Sequence, residues 1–103
     1  MLTVRITALR QTEYPELSAL YEAPLEAPCE VSVGQSFLSV NAEKPAGLCA
    51  SAWETLLPFV KALAEGGGNI FDGWMKDPKT ALVSCNDGFR PVSFFLQIEK
   101  EIF

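Results

Sequence analysis

Histidine is absent from this chain. Without an imidazole there is no Ser-His-Asp or Cys-His nucleophile pair, no histidine-ligated zinc, and no side chain whose unperturbed pKa lies near neutrality. Most common hydrolase and metalloenzyme designs are thereby excluded. Basic residues are scarce as well: eight Lys and Arg stand against 13 Asp and Glu, for a net charge of −5. Nucleic acids and anionic membranes are held by clustered Lys and Arg, so neither is an expected partner. No run of about 18 apolar residues exists to form a spanning helix. The opening MLTVRITALR alternates instead of forming a signal-peptide core. These features lead to the expectation of a cytoplasmic protein. Three cysteines fit that compartment, because a secreted domain of this size more often carries an even, denser set.

What is present describes one folded unit. A chain of 103 residues with 49% hydrophobic and 20% charged residues is large enough for one core and too small for two, so 1–103 is read as a single domain.

The segment 45–68, PAGLCASAWETLLPFVKALAEGGG, is long and periodic enough for an extended helix. At about 100° per residue, Cys49, Trp53, Leu56, Val60 and Leu63 fall within about 40° of one line, which predicts a core-facing stripe with Cys49 on it. Ser51, Glu54, Lys61 and Pro58 fall on the opposite side. A mid-helix proline costs about 3 kcal/mol or more, but on the outer face water satisfies the freed carbonyl, so the spacing predicts one bent helix and not two. Gly66, Gly67 and Gly68 supply the C-terminal stop.

Elsewhere the patterns are shorter. Leu2, Val4, Ile6 and Ala8 alternate with Thr3, Arg5 and Thr7, the signature of a strand with one buried face. Tyr14, Leu17, Leu20 and Tyr21 recur at helical spacing behind Pro15 and predict a short helix over 15–22. Pro24 and Pro28 mark an extended linker that ends at Cys29. Val31, Val33, Phe37, Leu38 and Val40 suggest a second strand, bulged or bent at Gly34. A third strand covers 80–85, Asn86-Asp87-Gly88 is a turn, and Val92, Phe94, Leu96, Ile98 and Ile102 share one face of a fourth strand. The fold class is therefore α+β: a single domain with an about four-stranded, largely antiparallel sheet, one long bent helix packed on one face, and one short helix.

Two constellations are candidates for function. The first is apolar: Phe71, Trp74 and Met75 in the loop after the long helix, with Phe95 on the side of the last strand opposite its core residues. Large loop side chains often close the end of a small core, and the same residues can serve as a binding surface. The second is a thiol set of Cys29, Cys49 and Cys85, with Asp87 as an additional ligand. Separations of 20 and 36 residues match no Cys-x-x-Cys motif. Buried structural cysteines are the ordinary account, yet all three can meet at one end of the sheet, and a thiol at a helix start gains from the positive end of the dipole. Arg90 is expected to pair with Asp87 across the turn, and Glu13, Glu16, Glu22, Glu26 and Glu30 to form a solvated acidic series.

Pro45-Ala46-Gly47-Leu48-Cys49-Ala50-Ser51-Ala52, then Leu57-Pro58 and the glycine stop, then Cys85-Asn86-Asp87 and Arg90-Pro91-Val92-Ser93-Phe94, resemble a family of short prokaryotic proteins of uncharacterised activity. That family has a Gly-Leu-Cys-x-x-Ala helix start and a Cys-x-Asp turn before an Arg-Pro-Val-x-Phe strand. The resemblance covers about 4–99, with an insertion-like segment near 11–27, and it implies that Cys29, Cys49 and Cys85 occupy family cysteine positions. Gln35 departs from the Asp that tends to follow Gly34 in the family.

The leading expectation is a non-enzymatic binding or self-associating domain, a homo-oligomer such as a homodimer, with no cofactor and no residue nominated as catalytic. The alternative is a thiol site that binds zinc or an iron–sulfur centre, or acts as a redox-sensitive set. A third reading is a small-molecule pocket of unknown ligand under the aromatic loop.

Overall fold

The structure, a computed structural model, describes residues 1–24 and 31–99. Its elements are β1 (Val4–Gln11), α1 (Pro15–Tyr21), β2 (Ser36–Ser39), α2 (Ala50–Ala64), β3 (Thr80–Ser84) and β4 (Val92–Ile98). The four strands form one antiparallel sheet in the order β2-β1-β4-β3. This is the α+β class expected from the sequence.

Alternation along each strand sorts the side chains onto two faces. Val4, Ile6 and Ala8 of β1, Phe37 of β2, Ala81 and Val83 of β3, and Val92, Phe94 and Leu96 of β4 are buried on one face. Helix α2 covers that face with Ala52, Leu56, Val60, Leu63 and Ala64. Leu56, Val60 and Leu63 are fully buried, and each contributes about 1.5–3 kcal/mol. Together they exceed the roughly 3 kcal/mol cost of a helical proline. The helix accordingly runs unbroken through Pro58, which lies exposed on its outer side.

Cys49 departs from expectation. It is the N-cap of α2, with φ −58° and ψ 132°, and it is exposed. The helical projection that placed it on the core stripe does not apply to a residue outside helical φ/ψ, and Ala52 takes the buried position one turn further on.

The C-terminus of α2 closes as a Schellman motif, in which the Gly67 N–H donates to the Ala62 carbonyl at 2.9 Å and the Gly66 N–H to the Leu63 carbonyl at 3.0 Å. Gly66 has φ +86°, the left-handed conformation that this motif requires. The Lys79 ammonium completes the cap by donating to the Gly66 carbonyl at 2.7 Å.

One further expectation is corrected: the second strand spans only Ser36–Ser39. The bend expected at Gly34 is present as a turn over Val33 and Gly34, with Gly34 at φ +93°, and it precedes the strand instead of interrupting it. A separate register shift lies on β1, between Ala8 and Arg10. Helix α1 forms where predicted and buries no residue, leaving Leu20 68% and Tyr21 75% exposed. It is tied down by polar contacts: the Tyr14 N–H donates to the Phe89 carbonyl at 2.9 Å, and Glu22 forms a two-pronged pair with Arg90. Arg90 thus turns chiefly to Glu22, with Asp87 at 3.8 Å, and Glu22 leaves the expected acidic series. Cys29, Glu26, Glu30 and Ile102 lie outside the described residues.

Candidate functional site

The loop between α2 and β3 is pinched at its neck. The Asn69 N–H donates to the Pro78 carbonyl at 2.6 Å, and the Lys79 N–H to Asp77 Oδ1 at 2.9 Å. Gly68 lies so close to this neck that an added Cβ would be 2.7 Å from the Pro78 carbonyl oxygen. Within the loop the Asp72 N–H donates to the Asn69 carbonyl and the Trp74 N–H to the Phe71 carbonyl. A closed loop of this length with internal bonds has the character of an Ω-loop, which holds its side chains in place without belonging to the sheet.

The structure divides the three apolar loop residues. Phe71 is half-buried, packs against the core, and has its ring centroid 5.6 Å from that of Phe59 on α2. Met75 is half-buried. Trp74, with its ring 6.1 Å from Phe71, is 84% exposed. Phe71 closes the core edge, as the ordinary account expects; Trp74 does not.

These residues and β3 enclose an open groove of about 430 Å³, lined by Phe71, Trp74, Met75, Leu82, Val83 and Ser84. Leu82, 47% exposed, links the groove to the face of the sheet that α2 leaves uncovered, because it stands opposite Phe95 in the β3–β4 register. Phe95 is half-buried there, with Thr7 on its other side. All four apolar residues singled out from the sequence therefore lie along one patch joined by Leu82. Sequence reasoning missed Leu82 as a site residue. Its signal was an aliphatic side chain at the outward position of an alternating strand. Beyond Thr7 the open face carries an ion pair beside Leu38, with Arg5 bridging Glu99 at 2.6 Å through both Nε and Nη2 and donating to Ser36 Oγ at 2.8 Å. The pair holds the Glu99 carboxyl below the ordinary glutamate range.

A second cleft of about 510 Å³ lies at the other end of β3, between Leu63, Lys79, Thr80 and Ile98. Two of its polar groups are committed internally: Lys79 Nζ to the Gly66 carbonyl, and Thr80 Oγ1 to the Asp77 carbonyl at 2.7 Å.

The thiol candidates are only partly assembled. Ser51 Oγ and Asn86 Oδ1 are hydrogen-bonded at 2.6 Å, which brings the start of α2 to the β3–β4 turn. Cys49 and Cys85, flanking that bond, thus belong to the same end of the domain. Cys85 is half-buried and its Sγ accepts the Val92 N–H at 3.3 Å, whereas Cys49 is exposed. Asp87 Oδ1 is occupied by the N–H groups of Phe89 and Arg90, at 2.8 and 3.0 Å, as a turn aspartate ordinarily is. Among the described residues, no group of three or more Cys, Asp or Glu side chains is arranged to hold a metal. No helix among them is long and apolar enough to cross a membrane. No family model, curated protein or solved structure matches the chain.

Proposed function

We propose that this protein is a cytoplasmic, non-enzymatic binding domain that works by self-association through the patch formed by Phe71, Trp74, Met75, Leu82 and Phe95. The observation that carries this reading is the 84% exposure of Trp74, held by a closed loop at the mouth of an apolar groove. An exposed tryptophan beside exposed Leu82 is the composition of an interface anchor, and burial of such aromatics dominates binding energy where interfaces form. With Trp53 replaced by Phe to isolate Trp74, emission is expected to shift to shorter wavelength as protein concentration rises. Emission that stays constant, together with a monomer mass by light scattering at every concentration, overturns the reading.

A second reading is favoured by the Ser51–Asn86 bond, which supports Cys49 and Cys85 acting with Cys29 as a soft-metal or redox-sensitive thiol set. The family resemblance of the three cysteine positions points the same way. Native mass spectrometry with elemental analysis tests it, and metal-free protein whose thiols react independently would end it.

A further inference from the structure

We infer that the occupant of the patch is a second copy of this chain, joined edge to edge through β3 so that two four-stranded sheets become one sheet of eight. The inference rests on the self-association reading and specifies its geometry.

The backbone of β3 supplies the argument. In an antiparallel ladder, successive residues turn their N–H and C=O alternately toward and away from the neighbouring strand. The Cys85 N–H donates to the Val92 carbonyl at 3.0 Å. With the register Val83↔Phe94 and Ala81↔Leu96, the polar groups of Val83 and Ala81 therefore face β4, and those of Leu82 and Ser84 face outward. The outward N–H of Thr80 is already taken by the Asp77 carbonyl at 3.2 Å. Among the described residues, no other segment makes a backbone bond to Leu82 or Ser84.

An open edge of this kind is normally guarded by charge, proline, a bulge or brevity. The strand TALVS carries no charge and no proline, and its ladder to β4 has no register shift. Lys79, the adjacent charge, is turned back onto the Gly66 carbonyl. The opposite edge is better protected, since β2 has four residues and is followed by left-handed Asn41 and Ala42.

The free groups of β3 are self-complementary. A two-fold axis at Leu82 sets Leu82 against Leu82 of the second copy and exchanges both of their N–H···O bonds. It also carries each Ser84 N–H to the Thr80 carbonyl opposite. No charges meet in that register. On the helix-free face the pairing joins Phe95 and Leu82 to their counterparts in one apolar row, and each Trp74 flanks the new junction. Because the same strand is used by both copies, association closes at two, whereas joining β3 to β2 would grow an open chain.

Leu82→Pro tests this directly. It removes an N–H that faces away from β4, so the internal ladder is retained and thermal unfolding at low concentration should show a folded monomer. Light scattering and sedimentation are expected to give a wild-type dimer, and a dissociation constant raised roughly tenfold or more in the variant, from loss of two backbone bonds. As a second route, Leu82→Cys with Cys29, Cys49 and Cys85 replaced by Ser should form a disulfide-linked dimer on mild oxidation, while Leu38→Cys on β2 in the same background should not. A wild-type dimer unaffected by Leu82→Pro, or cross-linking through Leu38→Cys in preference to Leu82→Cys, overturns pairing through β3 and leaves self-association standing. A wild-type monomer at all concentrations removes both.

Discussion

Leu82 and Phe95 stand opposite one another on the helix-free face of the sheet, and Leu82 also lines the groove beneath Trp74. One aliphatic side chain thereby makes a continuous apolar patch out of a loop and a strand that lie about 20 residues apart in the sequence. The juxtaposition separates residues that hold the fold together from residues free to engage a partner.

Trp74→Ala should change monomer stability by less than about 0.5 kcal/mol, the range for exposed substitutions. The same variant should weaken self-association. Phe71→Ala, which removes the ring packed on Phe59, should instead cost roughly 1–3 kcal/mol of folding stability. Denaturant unfolding alongside light scattering measures both effects, and equal stability losses in the two variants would contradict this division.

Gly68→Ala should destabilise the fold by roughly 1–3 kcal/mol, because its Cβ would lie 2.7 Å from the Pro78 carbonyl oxygen. Both sides of that contact are backbone and cannot swing away. The measurement is the shift in denaturant midpoint, and an unchanged midpoint would mean that the loop neck opens at little cost.

Arg90→Met should release α1 while sparing the core. The helix buries no residue and is held by the Arg90–Glu22 pair and one backbone bond. Amide hydrogen exchange is expected to quicken across 15–22, with protection in β1 and β4 unchanged and global stability little affected. Unaltered exchange in α1 would show that other contacts hold it.

The Arg5–Glu99 pair predicts a pH dependence. Glu99 has a folded pKa below its ordinary value, chiefly because of its hydrogen bonds to Arg5. Such a group stabilises the fold fully above its unfolded pKa, and the contribution is lost as pH falls through the folded pKa. Stability should therefore decline as the solution is acidified below the ordinary glutamate range, and Glu99→Gln should flatten that limb of the profile. The effect should be small, since both side chains are about one-third exposed. Denaturant midpoints measured down to about pH 3 compare the two slopes.

Cys49 should be alkylated faster than Cys85. One is exposed; the other is half-buried, with its sulfur accepting the Val92 N–H. Peptide mapping after brief treatment with iodoacetamide gives the ratio, and equal rates would mean that the β3–β4 turn opens readily.

Local pattern alone determined the elements and their class. Period-two alternation marked β1, β3 and β4, the 3.6-residue pattern with a glycine stop marked α2, and the outer position of Pro58 followed from the same wheel. Those signals are legible because they arise from neighbours a few residues apart. Tertiary structure decided the rest. Cys49 lay on the apolar stripe by spacing, but its backbone is not helical, so it became an exposed cap. Arg90 found Glu22, 68 residues away, more closely than Asp87 three residues away. Strand order, the exposure of Trp74 and the meeting of Leu82 with Phe95 all depend on how distant segments register against one another, and register is set by packing of the whole sheet, which no short window of sequence contains.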